Sequence, residues 1–136
     1  MADFDKGQFF LDKGATNYQG TKGKYFIGLN DAEYDDDIIV CFVINSENRM
    51  ERLTFNCNRE ANKFVLKPDS FPFIKHHSSI MLAIPNYYKL IEMYLPSIKL
   101  LDKADEMMCR QIKNCIDWSY IIQKYHKIIK DCFKSK

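Results

Sequence analysis

The stretch that decides the fold is Asp37-Ile38-Ile39-Val40-Cys41-Phe42-Val43-Ile44-Asn45, "DIIVCFVIN". Its apolar run, Ile38 to Ile44, is rich in β-branched side chains and predicts a strand. Successive side chains of a strand point to opposite faces, so an unbroken apolar run leaves neither face for water. We therefore predict a central strand that is covered on both sides.

Shorter candidate strands lie on both sides of this run. They are "GQFFL" and "KYFIGLN" before it, and "ERLTF", "KFVLK" and "SSIMLAI" after it. Turn-forming residues separate them, including the acidic segment 31–37 and the polar segment 45–48. About six short strands at close spacing predict a small barrel or two packed sheets.

The last third of the chain has a helical period. Asp102 is the predicted N-cap of a first helix, followed by acidic residues in the first turn. The stripe from Trp118 to Phe133 has three-four spacing and predicts a second helix, with a break between Cys115 and Trp118. We expect one domain over residues 1–136, with the barrel in 1–98 and the helices in 99–136.

Charge is distributed unevenly along a chain whose net charge is only +2. Eight acidic residues oppose four lysines between Met1 and Asp37, whereas nine basic residues oppose five acids between Lys99 and Lys136. The small net charge argues against a strongly basic nucleic-acid binder, and the basic tail can be either a solvated helix face or an attraction to acidic partners.

The cysteines and the hydropathy bear on the compartment. Five cysteines form no C-x-x-C pair, so we expect unpaired, buried thiols in a reducing environment. The chain has no apolar run long enough to span a membrane and no secretion signal at its start, which predicts a cytoplasmic protein without a membrane partner. Metal-ligand spacings and dinucleotide fingerprints are absent from the sequence, so no cofactor is predicted.

The order of motifs resembles the PemK/MazF-like family of toxin-related proteins. The resemblance spans most of Gly7 to Leu82 and is carried by "KYFIGLN", by "IVCFVINS" and by "SFPFIKHHSSIML" before the helices. It implies an SH3-like barrel with helices packed against it. It also implies a toxin-antitoxin context, in which active members cut single-stranded RNA without a metal.

The resemblance also suggests site residues. The family's loop arginine corresponds to Lys24 or Lys22, and its threonine at the end of the third strand corresponds to Ser46. From the residues themselves, His76 and His77 are the candidate proton carriers; neighbours on an extended chain point to opposite faces, so at most one serves a given site, and His77 is the one we assign. Arg49 could neutralise a phosphate, and Tyr25, external by strand alternation, could stack on a base. Tyr18 is a second candidate for stacking.

These features leave several functions open. The chain could be an endoribonuclease with Lys24, Ser46 and His77 as catalytic residues, or it could bind RNA through Lys22, Tyr25 and Arg49 without cleaving it. The alternative is a non-catalytic SH3-like module whose partner is an antitoxin-like peptide or a second copy in a homodimer.

Overall fold

Seven strands form one antiparallel sheet in the order β4-β5-β6-β3-β2-β1-β7. The computed structural model describes residues 3–16 and 22–134, and of Thr16 and Lys22 the backbone alone. The strands are β1 Gln8–Thr16, β2 Lys22–Gly28, β3 Ile38–Ser46, β4 Asn56–Asn58, β5 Lys63–Leu66, β6 Ser78–Lys89 and β7 Ile98–Lys103.

The central strand β3 is buried on both faces. Val40 and Phe42 point into a core that the C-terminal helices share. Ile39 and Cys41 point into a second core, which Phe4 covers from the N-terminal side. The prediction that this strand has no wet face is confirmed.

The mainly β fold with C-terminal helices is also confirmed, with differences in the strands. The strand predicted over residues 51–55 is wrong, because these residues form turns and β4 begins only at Asn56. In the described part of the chain, β4 and β7 each pair with one neighbour and form the two edges of the sheet. A closed SH3-like barrel therefore stays a prediction.

The chain adds a last strand where a helix was predicted to begin. Residues Ile98–Lys103 form β7, which pairs with β1, so Asp102 is a strand residue and not an N-cap. The first helix, α1, spans Glu106–Cys115, and the Asp105 side chain caps it by accepting a hydrogen bond from the Met108 amide at 2.8 Å. The helical part predicted for residues 99–136 thus starts later.

The predicted break after Cys115 is confirmed, but the segment beyond it is not one continuous helix. Two 3₁₀ turns, Trp118–Tyr120 and Gln123–Tyr125, precede the short helix α2, which spans His126–Asp131. Tyr87 of β6 holds this segment against the sheet. Its ring centroid lies 5.0 Å from that of Tyr125, and its hydroxyl accepts a hydrogen bond from the Ile122 amide at 2.9 Å.

A disulfide joins Cys57 of β4 to Cys115 at the end of α1. The expectation that all five cysteines are unpaired is therefore wrong for this pair, whereas Cys41, Cys109 and Cys132 are free thiols. Fifty-eight residues separate Cys57 and Cys115. Sequence spacing could not reveal the pair, because the sheet and helix bring the two cysteines together.

Lys6 connects the start of the chain to its end. Its amine lies 3.0 Å from Glu106 Oε2 and donates a hydrogen bond to the Cys132 carbonyl oxygen. The same amine lies 4.5 Å from the centre of the Phe133 ring. The N-terminal segment is thereby fixed against both C-terminal helices, beside the pairing of β1 with β7.

Candidate functional site

Three of the predicted site residues line one cavity of about 460 Å³, which we call the lysine cavity. Lys24 and Tyr25 reach it from β2, and Ser46 reaches it from the end of β3. The pairing of β2 with β3, in which Tyr25 lies opposite Ile44, brings these strand ends together. The other polar residues that line the cavity are Asn45, Glu47, Asn48 and Lys63.

Glu47 and Lys63 form an ion pair at this cavity. Lys63 Nζ lies 2.6 Å from Glu47 Oε1, and the two side chains are 24% and 13% exposed. At this partial burial the pair is screened less than a surface pair. One cation of the cavity therefore has a fixed partner.

Lys24 is the other cation among the described residues of the cavity, and it forms no ion pair with a residue in those ranges. Its cross-strand neighbour is Asp12, whose carboxylate instead accepts hydrogen bonds from the Tyr88 hydroxyl at 2.8 Å and the Gly14 amide at 2.9 Å. Burial, reinforced by the bond to Asp12, raises the pKa of Tyr88, which stays a neutral donor. The described residues thus leave the Lys24 amine without a carboxylate partner.

Tyr25 is less exposed than strand alternation suggested. We expected an external ring, but it is half-buried against the core and stacks on Phe73, with 5.1 Å between the ring centroids. One ring face is therefore occupied. A base could contact only the remaining face or edge.

His77 belongs to a neighbouring cavity of about 480 Å³, on which His76 and Lys75 also open. The His77 ring stacks on Phe55, with 5.8 Å between the ring centroids. Both histidines line this cavity, and the chain bends at His76, so the alternation expected of an extended chain does not apply to this pair. Residues 46–48 separate the two cavities and line both. Ser46 therefore lines the cavity of Lys24 and also the cavity of His77.

Of the remaining predicted residues, Arg49 alone can be placed, and it is not brought to this site. Arg49 is exposed in the loop after β3 and does not line the lysine cavity. The Lys22 side chain and all of Tyr18 lie outside the described residues.

The acidic segment 31–37 forms a turn, and the side chain of its last residue, Asp37, bonds back to the backbone of the turn. Asp37 Oδ2 accepts hydrogen bonds from the amides of Glu33 and Tyr34, both at 2.9 Å. The bond from Tyr34, followed by that from Glu33, lowers the pKa of the Asp37 carboxyl. Over residues 3–16 and 22–134, no group of three or more potential ligands is placed to hold a metal ion.

Sequence reasoning missed Asn45, Glu47 and Lys63. Period-two alternation places Asn45 and Glu47 on the same side of the β3 end, which was a usable signal. Lys63 carried no such signal, because it reaches the cavity only through the register of β5 on β6, in which Lys63 lies opposite Met81.

Comparisons of the chain with protein-family models, curated proteins and solved structures find no match. The resemblance to PemK/MazF-like proteins therefore stays a prediction. Of the helices in the described ranges, none has the length and apolar character needed to cross a membrane.

Proposed function

We propose that the chain binds single-stranded RNA in the lysine cavity, without a metal. The observation that carries the proposal is the meeting of Lys24 and Ser46 at one cavity. The resemblance matches Ser46 to the family's threonine and either Lys24 or Lys22 to its loop arginine. Lysine, serine and asparagine side chains are common donors to RNA phosphates and sugars. The SH3-like barrel is the fold that this proposal assumes.

Binding, and not cleavage, is the form that the geometry favours. Metal-free cleavage needs a base, an acid and a cation around one phosphate. Lys24 and His77 open on different cavities, separated by residues 46–48, and the Glu47 carboxylate is paired with Lys63. Among the described residues of the lysine cavity, cations and neutral donors prevail over groups that could transfer protons.

The test is a mobility shift of labelled, mixed-sequence single-stranded RNA in EDTA. We expect Lys24→Ala to weaken binding roughly tenfold, the effect of losing about 1.4 kcal/mol of a charge-assisted contact. Lys89→Ala is the matched control, because Lys89 is exposed and pairs with Ile38 at the far end of β3. Equal affinity of Lys24→Ala and wild type would disprove the proposal, and cleaved RNA would show that the site is also catalytic.

A second candidate is self-association through the edge strand β7. Leu100 on β7 is 48% exposed, and Ile91 and Leu95 on the turn before it are similarly exposed. An open edge with apolar side chains can add a strand from a second copy. Analytical ultracentrifugation would give a concentration-dependent mass for wild type and a monomer for Leu100→Glu.

A further inference from the structure

The β4–β5 hairpin, α1 and the segment after α1 line a further cavity, which we call the basic cleft. It has a volume of about 540 Å³. Its residues that matter here are Arg59, Lys113, Lys130, Lys134, Trp118 and Phe133. None of the residues lining it lines the lysine cavity, so the two are distinct sites.

Among the described residues, four cationic side chains and no acidic one line the basic cleft. Within the described residues, Lys113 and Lys130 have no carboxylate partner and instead lie over aromatic rings. The Lys113 amine is 5.3 Å from the centre of the Phe133 ring, and the Lys130 amine is 4.7 Å from that of Trp118. These cation–π contacts hold both amines beside the aromatic rings that line the cleft.

Asp131, the acid next to Lys130, is already neutralised, and Asp117, the acid nearest in sequence to Lys113, does not line the cleft. Lys127 lies 2.6 Å and Lys134 2.9 Å from the carboxylate oxygens of Asp131. Arg59 is positioned by one hydrogen bond to the Asn114 carbonyl oxygen at 2.6 Å, and a guanidinium has five donors. The cleft therefore combines a positive field with spare donors, which suits phosphate groups.

The Trp118 ring favours a nucleic acid over a simple anion as the ligand of the cleft, because a base can stack on an aromatic ring. Trp118 is half-buried at the cleft, with its ring held edge-on to His126 at 5.2 Å between centroids. Cationic grooves beside an aromatic ring are the usual surface for single-stranded nucleic acids. Phe133 is buried, so it supports the lysines and does not offer a stacking face.

The β4–β5 hairpin lies between the lysine cavity and the basic cleft. Its turn is closed by a hydrogen bond from the Asn62 amide to the Arg59 carbonyl oxygen at 3.1 Å, so Arg59 and Lys63 are close in space. Arg59 reaches toward α1 and the basic cleft, whereas Lys63 reaches toward β3 and the lysine cavity. The hairpin therefore contributes one cation to each of the two sites.

We propose that the basic cleft is a second phosphate-binding subsite, which holds the single-stranded RNA that extends from the lysine cavity across the β4–β5 hairpin. The subsite rests on the proposed RNA binding at Lys24. It predicts that affinity depends on RNA length, because only a longer strand reaches both sites.

The test compares RNAs of about four and about sixteen nucleotides, which span the usual range of single-strand sites. The variant is Lys113→Gln/Lys130→Gln, which removes both charges and keeps polar side chains at the two positions. Lys89→Ala/Lys99→Ala is the control, with the same charge change at two exposed strand positions. The charge-preserving Lys113→Arg/Lys130→Arg variant tests whether the cations matter, and circular dichroism melting verifies folding of each variant.

We expect wild type to bind the longer RNA at least about tenfold more tightly, and the glutamine variant to lose that gain while binding the shorter RNA unchanged. The arginine variant should retain the gain. Each phosphate contact on a single strand contributes about 0.7 to the salt slope, so the glutamine variant should lose about 1.4 of it. Trp118, the sole tryptophan, should report the longer RNA by a fluorescence change.

Two results overturn the subsite. If the glutamine variant keeps the length-dependent gain, while Lys24→Ala weakens both RNAs, the subsite is wrong and binding in the lysine cavity stands. If Lys24→Ala changes neither affinity, the proposed function fails, and with it the subsite as its continuation, even where the glutamine variant binds less tightly.

Discussion

The Lys63 amine lies 2.6 Å from Glu47 Oε1 and joins the start of β5 to the end of β3 across the intervening strand β6. The pair places a negative charge in the same cavity as Lys24. A carboxylate at this position holds Lys63 in place and at the same time repels phosphate.

Replacing the carboxylate by an amide should separate these two effects. We expect Glu47→Gln to tighten RNA binding roughly three- to tenfold, because about 1 kcal/mol of screened repulsion is removed. Stability should fall by about 1 kcal/mol as a charge-assisted bond becomes a neutral one. Mobility shifts and urea unfolding measure the two quantities, with the exposed Glu33→Gln as control. Weaker binding in Glu47→Gln would mean that the ion pair positions the site.

Ser79 provides a prediction about the sheet beneath this cavity. Its hydroxyl is fully buried and has no hydrogen-bond partner among the described residues, although it lies between Asn45 and Val65 in register. A buried unpaired hydroxyl is costly, so Ser79→Ala should raise the free energy of unfolding by about 1 kcal/mol. Urea denaturation checks this. A loss of stability in Ser79→Ala would reveal a hydrogen-bond partner for the hydroxyl. Ser78→Ala is the control: it removes a hydrogen bond to the His76 carbonyl oxygen at 2.9 Å and should lower the free energy of unfolding.

The Cys57–Cys115 disulfide should contribute measurably to stability. Its 58-residue separation makes a long closed loop, for which about 2–4 kcal/mol is typical. Reduction by dithiothreitol should lower the urea midpoint of wild type. The Cys57→Ala/Cys115→Ala variant should have a low urea midpoint that dithiothreitol does not change. The variant gives the reference, since the free thiols of Cys41, Cys109 and Cys132 remain in it. Identical midpoints for oxidised and reduced wild type would contradict the prediction.

The turn built around Asp37 should make stability depend on pH in acid. Hydrogen bonds from the Tyr34 and Glu33 amides lower the pKa of Asp37 in the folded state. Its contribution is therefore fully present above the unfolded pKa of about 3.9 and is lost as the pH falls through the lower folded value. Asp37→Asn should flatten this part of the curve of unfolding free energy against pH. If the unfolding free energies of wild type and variant change equally with pH below about pH 4, the predicted contribution of Asp37 is refuted.

Much of the sheet could be predicted because its signals are local. The run Ile38 to Ile44 has too many β-branched and aromatic residues for any other assignment, and "KFVLK" contains the observed β5. By contrast, β7 is short and mixed in polarity, and it is a strand only because β1 offers an edge about 90 residues earlier. Asp102 was therefore assigned to a helix that Asp105 in fact caps.

The site could be predicted only in part, for a similar reason. Lys24 and Ser46 stand at the ends of recognisable strands, so their meeting followed from neighbouring pairing. Lys63 and Arg59 depend on how β5 lies against β6, and the basic cleft depends on how the segment after α1 turns back. Long-range register of this kind leaves no mark in a single sequence.

The contacts between Lys6 and the C-terminal residues bear on how the chain folds during its synthesis on the ribosome. The first strand to leave the ribosome finds its second neighbour, β7, only after residue 103 is made, and Lys6 meets Phe133 later still. Contacts between such distant residues slow folding, since the loop between them must close first. During most of translation the apolar side chains of the earliest strands are therefore incompletely packed. A chain arrested before β7 leaves one edge of β1 unpaired, and that edge can pair with a strand of another chain.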